Sequence, residues 1–380
     1  MNLSEEQTLI RDTARDFAQN RLLPGAADRD KTHSFATEEL KEMGELGMYG
    51  LLVPEEWGGA GADYISLALM IEEVAAADGA CSTILSVNNG LVCPILQRFG
   101  SDALKERYLR PLAGGEMLGC FCLTEAHAGS DASAIRLSAQ RDGDEYVLNG
   151  SKQFVTSGKN SDVAIVFAVT DKAAGKKGLS AFVVPTDNPG YQVSKVEDKL
   201  GQHGSDTASI FFDNCRIPAD HLIGNEGDGY RIALSNLEGG RIGIAAQAVG
   251  MARAAYEAAL AYAQERESFG KPIMHHQAVG FRLAEMATQL EAAHLMVMNA
   301  AAMKNAGEPC LKQACMAKLF ASEMAEKVCS DAIQVHGGYG YLSDFPVERI
   351  YRDVRIAQIY EGTSDIQKLV IARELMAEVR

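Results

Sequence analysis

The chain has 380 residues, 47% hydrophobic and 23% charged, with a formal net charge of -15. That length exceeds one compact core and predicts two or three domains, in a composition ordinary for a soluble globular chain. The acidic balance excludes nucleic acid and an anionic membrane surface as natural partners, and admits a polyanionic ligand only where cations are placed locally.

Residues 1 to about 118 read as helical. Ser4-x-x-Gln7 is a capping box that opens the first helix. EEWGGAGAD (55–63) reads as a glycine-rich loop, and YISLALMIEEVAAADGA (64–80) as a long helix stopped at Gly79. No apolar run reads as long enough to cross a bilayer and the N-terminus has no apolar signal core, so the expected location is cytoplasmic. The cysteines at 81, 93, 120, 122, 215, 310, 315 and 329 form no C-x-x-C pair and no metal spacing with histidine; they read as reduced, packed thiols.

From about 119 to 225 the texture changes. Asn149-Gly150 lies between apolar runs and predicts a hairpin. VAIVFAVT (163–170), LSAFVVPT (179–186) and ASIFFDN (208–214) read as strands. From about 226 onward long helical patterns return near 229–266, 276–305, 309–334 and 344–359, followed by a short terminal helix. The expected fold class is therefore α+β and multidomain: an all-α N-terminal domain (1–118), a middle antiparallel β domain (119–225) and a C-terminal helical bundle (226–380).

No G-x-G-x-x-G follows a strand and no phosphate-loop or G-x-S-x-G motif is present, so a dinucleotide would be held in some other way. The histidines are scattered. His275-His276, read on a helix, would point apart. What remains is a set of glycine-bearing polar turns. FCLTEAHAGSD (121–131) runs from an apolar strand into small residues that permit close backbone approach, and reads equally as a capped strand-end turn. GSKQFVTSG (150–158) places Phe154 and Thr156 on one face, fit for a flat ring or for an ordinary edge hairpin. ERESFGKPIMHHQ (265–277) brings Arg266 and Lys271 to a helix end that Gly270 would stop, as a dipole-matching terminus or a phosphate clamp. IQVHGGYGYLSDFP (333–346) carries more glycine than a turn needs. In YEGTSDIQ (360–367), Ser364-x-x-Gln367 reads as a capping box, which leaves Glu361 on the preceding turn as either a solvated helix-end charge or a held base.

Taken together, FCLTEAHAGSD, KQFVTSG, ERESFGKP, QVHGGYGY and IYEGTSDIQ resemble the acyl-CoA dehydrogenase family, in its order and at about its spacing, over essentially the whole chain. The resemblance implies helical, β and four-helix-bundle domains, a homotetramer, and FAD shared between subunits. It implies that Phe121, Leu123, Thr124, Gly129 and Ser130 cup the isoalloxazine. Phe154, Val155 and Thr156 would face the other side of the ring. Arg266, Ser268, Phe269 and Gln277 would reach the FAD of a partner subunit, completed by Gln334 to Gly338 with Gly337 between, and Thr363 and Asp365 would close over it.

Glu361 matches the family's base, which takes the pro-R α-proton of an acyl-CoA as the β-hydride passes to flavin N5. Tyr360, Gly362, Ser130, Glu238 and Arg241 match substrate contacts, with Glu238 standing where many members carry aspartate. Members with the base on a bundle helix carry it where this chain has Gly240, which cannot serve. Ala126 and His127 replace a common Pro-Gly and favour a short-chain or short/branched-chain acyl-CoA. The expected electron acceptor is an electron-transferring flavoprotein. A same-fold flavin oxidase and a non-catalytic acyl-CoA or flavin binder are the alternatives; a dicarboxylate is disfavoured by the uncharged SVNNGLVC (86–93).

Overall fold

The computed structural model describes residues 2–378. Ser4 caps the first helix, Glu5–Phe17, with the reciprocal capping box in place. The helix Tyr64–Ala77 is apolar all round and is buried from Ile65 to Ala77, as a helix without a polar stripe must be. It packs between the first helix and the long helix Leu237–Glu265. Its two carboxylates are answered from both sides: Glu73 receives Arg15 (2.8 Å) and Arg253 (2.6 Å), and Glu72 meets His294 (3.0 Å).

Gly79 does not stop that helix. The stop is Asp78, whose backbone is extended and whose carboxylate caps the next helix at Ala80 and Cys81. The segment that follows, Gly79–Phe99, has 21 residues and an apolar 18-residue stretch of mean hydropathy 1.3 that is wholly buried. It is long and apolar enough to cross a membrane, which the sequence reading did not expect; here it is a core helix, buried from Gly79 to Leu96 with Arg98 exposed at its end. Its middle, Asn88–Val92, is a π-helical turn. Asn88 and Asn89 are buried there and donate to the carbonyls of Tyr49 (3.0 Å) and Met48 (2.8 Å).

The β region contains β1 (Gly119–Cys122), β2 (Ser138–Asp142), β3 (Glu145–Thr156), β4 (Val163–Val169), β5 (Leu179–Pro185), β6 (Tyr191–Val196), β7 (Thr207–Pro218) and β8 (Leu222–Ile223). They pair in the order β6-β7-β3-β2-β4-β5-β8. Most pairings are antiparallel, but β1 joins β4 in parallel and β2 touches β4 in parallel at Ser138–Val169. β4 is apolar at every position because its two faces enter different cores. Val163, Ile165 and Phe167 meet the helices around Ile95 and Leu109, while Ala164, Val166 and Ala168 meet Tyr146, Phe182 and Ile210.

The Asn149-Gly150 hairpin does not exist. The β2–β3 turn is at Gly143-Asp144, with Asp142 opposite Glu145, and β3 runs straight through 149–150 with a bulge against β7. Gly150 adopts φ 139° there, and a Cβ would lie 2.9 Å from the Leu137 backbone. The same dipeptide that favours a tight turn also suits a bulge.

The last third is a bundle of Leu237–Glu265, Gln277–Asn305 and Leu311–His336, closed by Val347–Val354 and Ser364–Glu378. Gly270 does not end the first of these, which stops at Glu265. Phe269 (φ 49°) and Gly270 (φ 76°) instead form the tip of a two-strand ribbon, Glu267–Ser268 against Lys271–Pro272. His275 and His276 precede the second helix rather than riding on it.

Candidate active site

Glu361 lies on the turn before the terminal helix, with φ 50°, and Gly362 follows at φ 92°. A left-handed conformation is uncommon for a residue that carries a Cβ, and such strain collects at functional sites. The turn is fastened by its neighbours. Gln367 donates through Nε2 to the carbonyls of Gly362 (2.8 Å) and Glu361 (3.3 Å), and Lys318 donates through Nζ to Gly362 O (2.8 Å). The cap is one residue earlier than expected: Thr363 Oγ1 accepts from Ile366 N (3.3 Å), and Gln367 is a donor to the turn rather than a capping-box acceptor.

The Glu361 carboxylate points inward. Its Oε2 is shielded and meets no hydrogen-bond partner, although the residue as a whole is half-buried. Burial pushes its pKa up to about 7, against the pull of the Lys318 and Arg241 cations. It occupies the space that a side chain at position 240 would need: a Cβ on Gly240 would fall 2.2 Å from Glu361 Oε2 and 3.4 Å from Leu91. Gly90 faces Gly240 and Ser86 faces Gly243 across the same helix seam. Tyr360 is anchored on the other side. Its hydroxyl donates to Gln247 Oε1, and Gln247 Nε2 in turn donates to Ser82 Oγ (2.7 Å), Thr83 Oγ1 (2.5 Å) and Gly79 O (3.0 Å). Arg241 is buried with Nε unpartnered. Glu238, one turn before it, is held by Lys304 at 2.5 Å.

A second cluster joins the end of β1 to β3. Gln153 N donates to Thr124 O (2.8 Å), and the buried Lys152 donates to Leu123 O (2.9 Å) and pairs with the buried Glu125 (2.8 Å). Glu125 also accepts from Arg136 N (2.7 Å) and Leu137 N (3.0 Å). Phe154 follows at φ 58° and is 60% exposed. Thr156 is half-buried, and Val155 is turned into the β core, so Val155 offers a ligand its backbone rather than its side chain. Phe121 leans on Phe167 (5.1 Å between centroids), while Gly129 and Ser130 lie on an exposed loop. A Cβ at Gly129 would meet nothing within 4 Å, so no contact inside the chain calls for glycine there.

The third cluster is a hollow of about 490 Å³ lined by Arg266, Ile273, His336, Gly337, Gly338 and Tyr339, among others. It shares no lining residue with the Glu361 site. The Arg266 guanidinium lies over the Tyr339 ring at 5.6 Å. Gly337 and Gly338 are exposed, and a Cβ on either would meet nothing. Ser268 is bound by His276 (3.2 Å). Gln277 and Gln334 are exposed, and Phe269 is 96% exposed at the tip of its ribbon. Asp365 is exposed in the first turn of the terminal helix. The candidates at 121–156 and those at 266–338 form separate groups, and no residue of the first lines the hollow.

Sequence reasoning passed over Glu125, Lys152, Gln247 and Lys318, and read Gln367 only as part of a capping box. Two of them carried a signal. Tyr146, Leu148 and Lys152 alternate inward along β3, and Lys318 sits on the buried stripe Cys315–Lys318–Ser322 at helical spacing. Breaking a buried pair strands its partner's charge. Lys152→Met is expected to destabilise the protein by about 3–5 kcal/mol, read by denaturant unfolding, whereas replacing both Lys152 and Glu125 with apolar residues restores most of the loss.

Helices, a small sheet, then a bundle, with a buried carboxylate on a strained turn where the first and last regions meet, define a three-domain α+β class. Residues 4–116, 120–215 and 227–376 match the N-terminal, middle and C-terminal domains of acyl-CoA dehydrogenase respectively. The chain is 45% identical over 380 residues to the short-chain specific acyl-CoA dehydrogenase, mitochondrial, of Rattus norvegicus, covering all of this chain and 92% of that protein. Among solved structures it is similar to butyryl-CoA dehydrogenase from Megasphaera elsdenii, with TM-score 0.97 and 41% identity over 99% of both chains. It is equally similar, at TM-score 0.97 and 46% identity over 99% of both chains, to a chain in a structure concerning the electron transferring flavoprotein of Acidaminococcus fermentans and flavin-based electron bifurcation. The chain belongs to the acyl-CoA dehydrogenase family.

Proposed function

We propose that this chain is an FAD-dependent dehydrogenase that converts a short-chain acyl-CoA to the trans-2-enoyl-CoA. The observation that carries the reading is the Glu361 carboxylate: buried, with one oxygen unpartnered, its pKa raised to about 7, and seated over Gly240. A desolvated carboxylate is a stronger base than one in water, and an unpartnered oxygen is free to meet an α-proton. The Glu361 N–H makes no bond to another backbone group among the described residues, which leaves it available to the thioester oxygen as enolate-like charge develops.

The residues present fit FAD. Gly129, Gly337 and Gly338 leave room that nothing in the chain fills, and Phe154 offers an exposed ring on a strained backbone. Thr124, Thr156 and the 121–130 loop would hold the ring system, and Thr363 and Asp365 would close beside it. Arg266, Ser268, Phe269, Gln277, Gln334, Gly337 and Gly338 would hold the nucleotide half from a neighbouring subunit, in keeping with a hollow that no 121–156 residue lines. Bound FAD supplies the acceptor for the β-hydride. The homotetramer this implies is supported by exposed Phe281, Met316, Phe320 and Leu369 on the bundle helices.

A short acyl group is supported by the 45% identity to the short-chain specific acyl-CoA dehydrogenase of Rattus norvegicus. The helix facing the carboxylate presents Ser86, Gly90 and Leu91 and no cation, which supports a monocarboxylic acyl chain over a dicarboxylic one. Tyr360, Gly362, Arg241, Ser130 and Glu238 would line the thioester and its approach, Glu238 acting as an ion-paired neighbour rather than a free carboxylate. The Acidaminococcus structure supports an electron-transferring flavoprotein as the acceptor. The free, buried cysteines support a reducing cytoplasm. The test is an anaerobic titration with butyryl-, isobutyryl-, 2-methylbutyryl-, isovaleryl-, hexanoyl-, octanoyl- and glutaryl-CoA. Rapid bleaching of the oxidised flavin band by butyryl-CoA or its short neighbours bears the reading out; a yellow protein that no thioester bleaches refutes it.

A further inference from the structure

Lys318 is 0% exposed on the helix Leu311–His336. Among the described residues it forms no ion pair, and its one acceptor is the carbonyl of Gly362 at 2.8 Å. A buried ammonium with three donors and one backbone acceptor is costly. A second donor, Gln367 Nε2, converges on the same carbonyl at 2.8 Å, so the Gly362 carbonyl does not need Lys318 to be satisfied. What sets the lysine apart from the glutamine is its charge, placed one residue from Glu361.

We propose that Lys318 is a positioning residue for the base: it fastens the left-handed 361–362 turn and supplies the cation that lets the Glu361 carboxylate ionise in a dry site. The inference rests on the dehydrogenase reading above. Two of the helices around Glu361 bring charge and a third brings none. The helix 311–336 brings Lys318, with the Cys315 thiol one turn before it, pushed upward by burial. The helix 237–265 brings buried Arg241, and also Glu238, which Lys304 neutralises. The helix 79–92 brings Ser86, Gly90 and Leu91, with no charge. Burial raises the Glu361 carboxyl while Lys318 and then Arg241 oppose it. Burial likewise draws Lys318 down to about 8 while Glu361 supports its charge. Each ion therefore stabilises the other.

The test is the pH dependence of anaerobic single-turnover flavin reduction by butyryl-CoA in wild type, Lys318→Met and Lys318→Gln, each with its FAD. The rate falls as the pH drops through the base's ionisation. Loss of a nearby cation raises that midpoint by about one pH unit. The shift is expected in both variants, and the plateau rate is expected to fall further in the methionine variant, which also loses the bond to Gly362. If the methionine variant does not hold FAD, the glutamine variant alone decides. Midpoints equal to wild type in a variant that retains FAD overturn the inference and leave the dehydrogenase standing. A wild type that butyryl-CoA and its short neighbours do not bleach removes the reading itself, and the inference with it.

Discussion

Glu361→Gln is expected to retain FAD and to bind butyryl-CoA, yet to lose about 10³–10⁴-fold in the rate of flavin reduction. The amide is nearly isosteric with the carboxylate, so it keeps the fit over Gly240, where there is no room for a side chain. It cannot accept the α-proton. Stability should change in the opposite sense. The carboxyl's folded pKa of about 7 lies above its ordinary value of 4.5. Below pH 4.5 the group is neutral in folded and unfolded states, and its burial adds no ionisation penalty. Between pH 4.5 and about 7 the unfolded chain gives up the proton that the folded carboxyl keeps, so stability falls across that window and the loss is complete once the folded group ionises above 7. The glutamine variant escapes that loss. It should match wild type near pH 4.5 and exceed it above pH 7, by at most about 3 kcal/mol per protomer. Thermal unfolding at the two pH values checks the crossover, and near-wild-type flavin reduction would remove Glu361 from its role.

Arg266→Ala is expected to yield a protein that purifies largely without FAD and assembles poorly. Arg266 is an exposed cation beside the Gly337–Gly338 floor of the 490 Å³ hollow, stacked over Tyr339. No residue of the β1–β3 cluster lines that hollow, and on the proposed reading the cofactor is shared between two subunits. Truncating one side of a charge-assisted contact costs roughly 2–5 kcal/mol, and about 2.8 kcal/mol corresponds to roughly 100-fold in affinity. Flavin content after gel filtration and the sedimentation coefficient, each measured with and without excess FAD, read both consequences. Excess FAD should restore part of the assembly. A variant with full flavin content and wild-type mass would contradict the shared site.

Much of this was legible in the residues themselves. The change from helical to alternating texture near 119 and back near 226 marks where β1 begins and the bundle follows, because 3.6- and 2-residue periods are hard to confuse over long runs. Glu361, Arg266 and the Gly337–Gly338 pair were legible only together, as turns in a fixed order. Asn149-Gly150 and Gly79 misled for the same reason: local dipeptide chemistry fits a bulge or a helix start as well as it fits a turn or a stop, and tertiary pairing chooses. Glu125–Lys152 and Lys318–Gly362 were hidden because a lysine in the sequence reads as surface until its position on a strand or helix face is known. Glu72 and Glu73, inside an otherwise apolar helix, are the same kind of signal, and their partners Arg15, Arg253 and His294 lie far along the chain.

The most direct test of the central claim is the pH profile of flavin reduction in the wild-type holoenzyme. Anaerobic mixing with saturating butyryl-CoA is followed at the oxidised flavin band across the neutral range, with the product identified by mass. A buried Glu361 acting as base predicts a rate that rises through an ionisation near pH 7 and a product that is trans-2-butenoyl-CoA. A rate flat across that range, or bleaching that forms no enoyl-CoA, would contradict it.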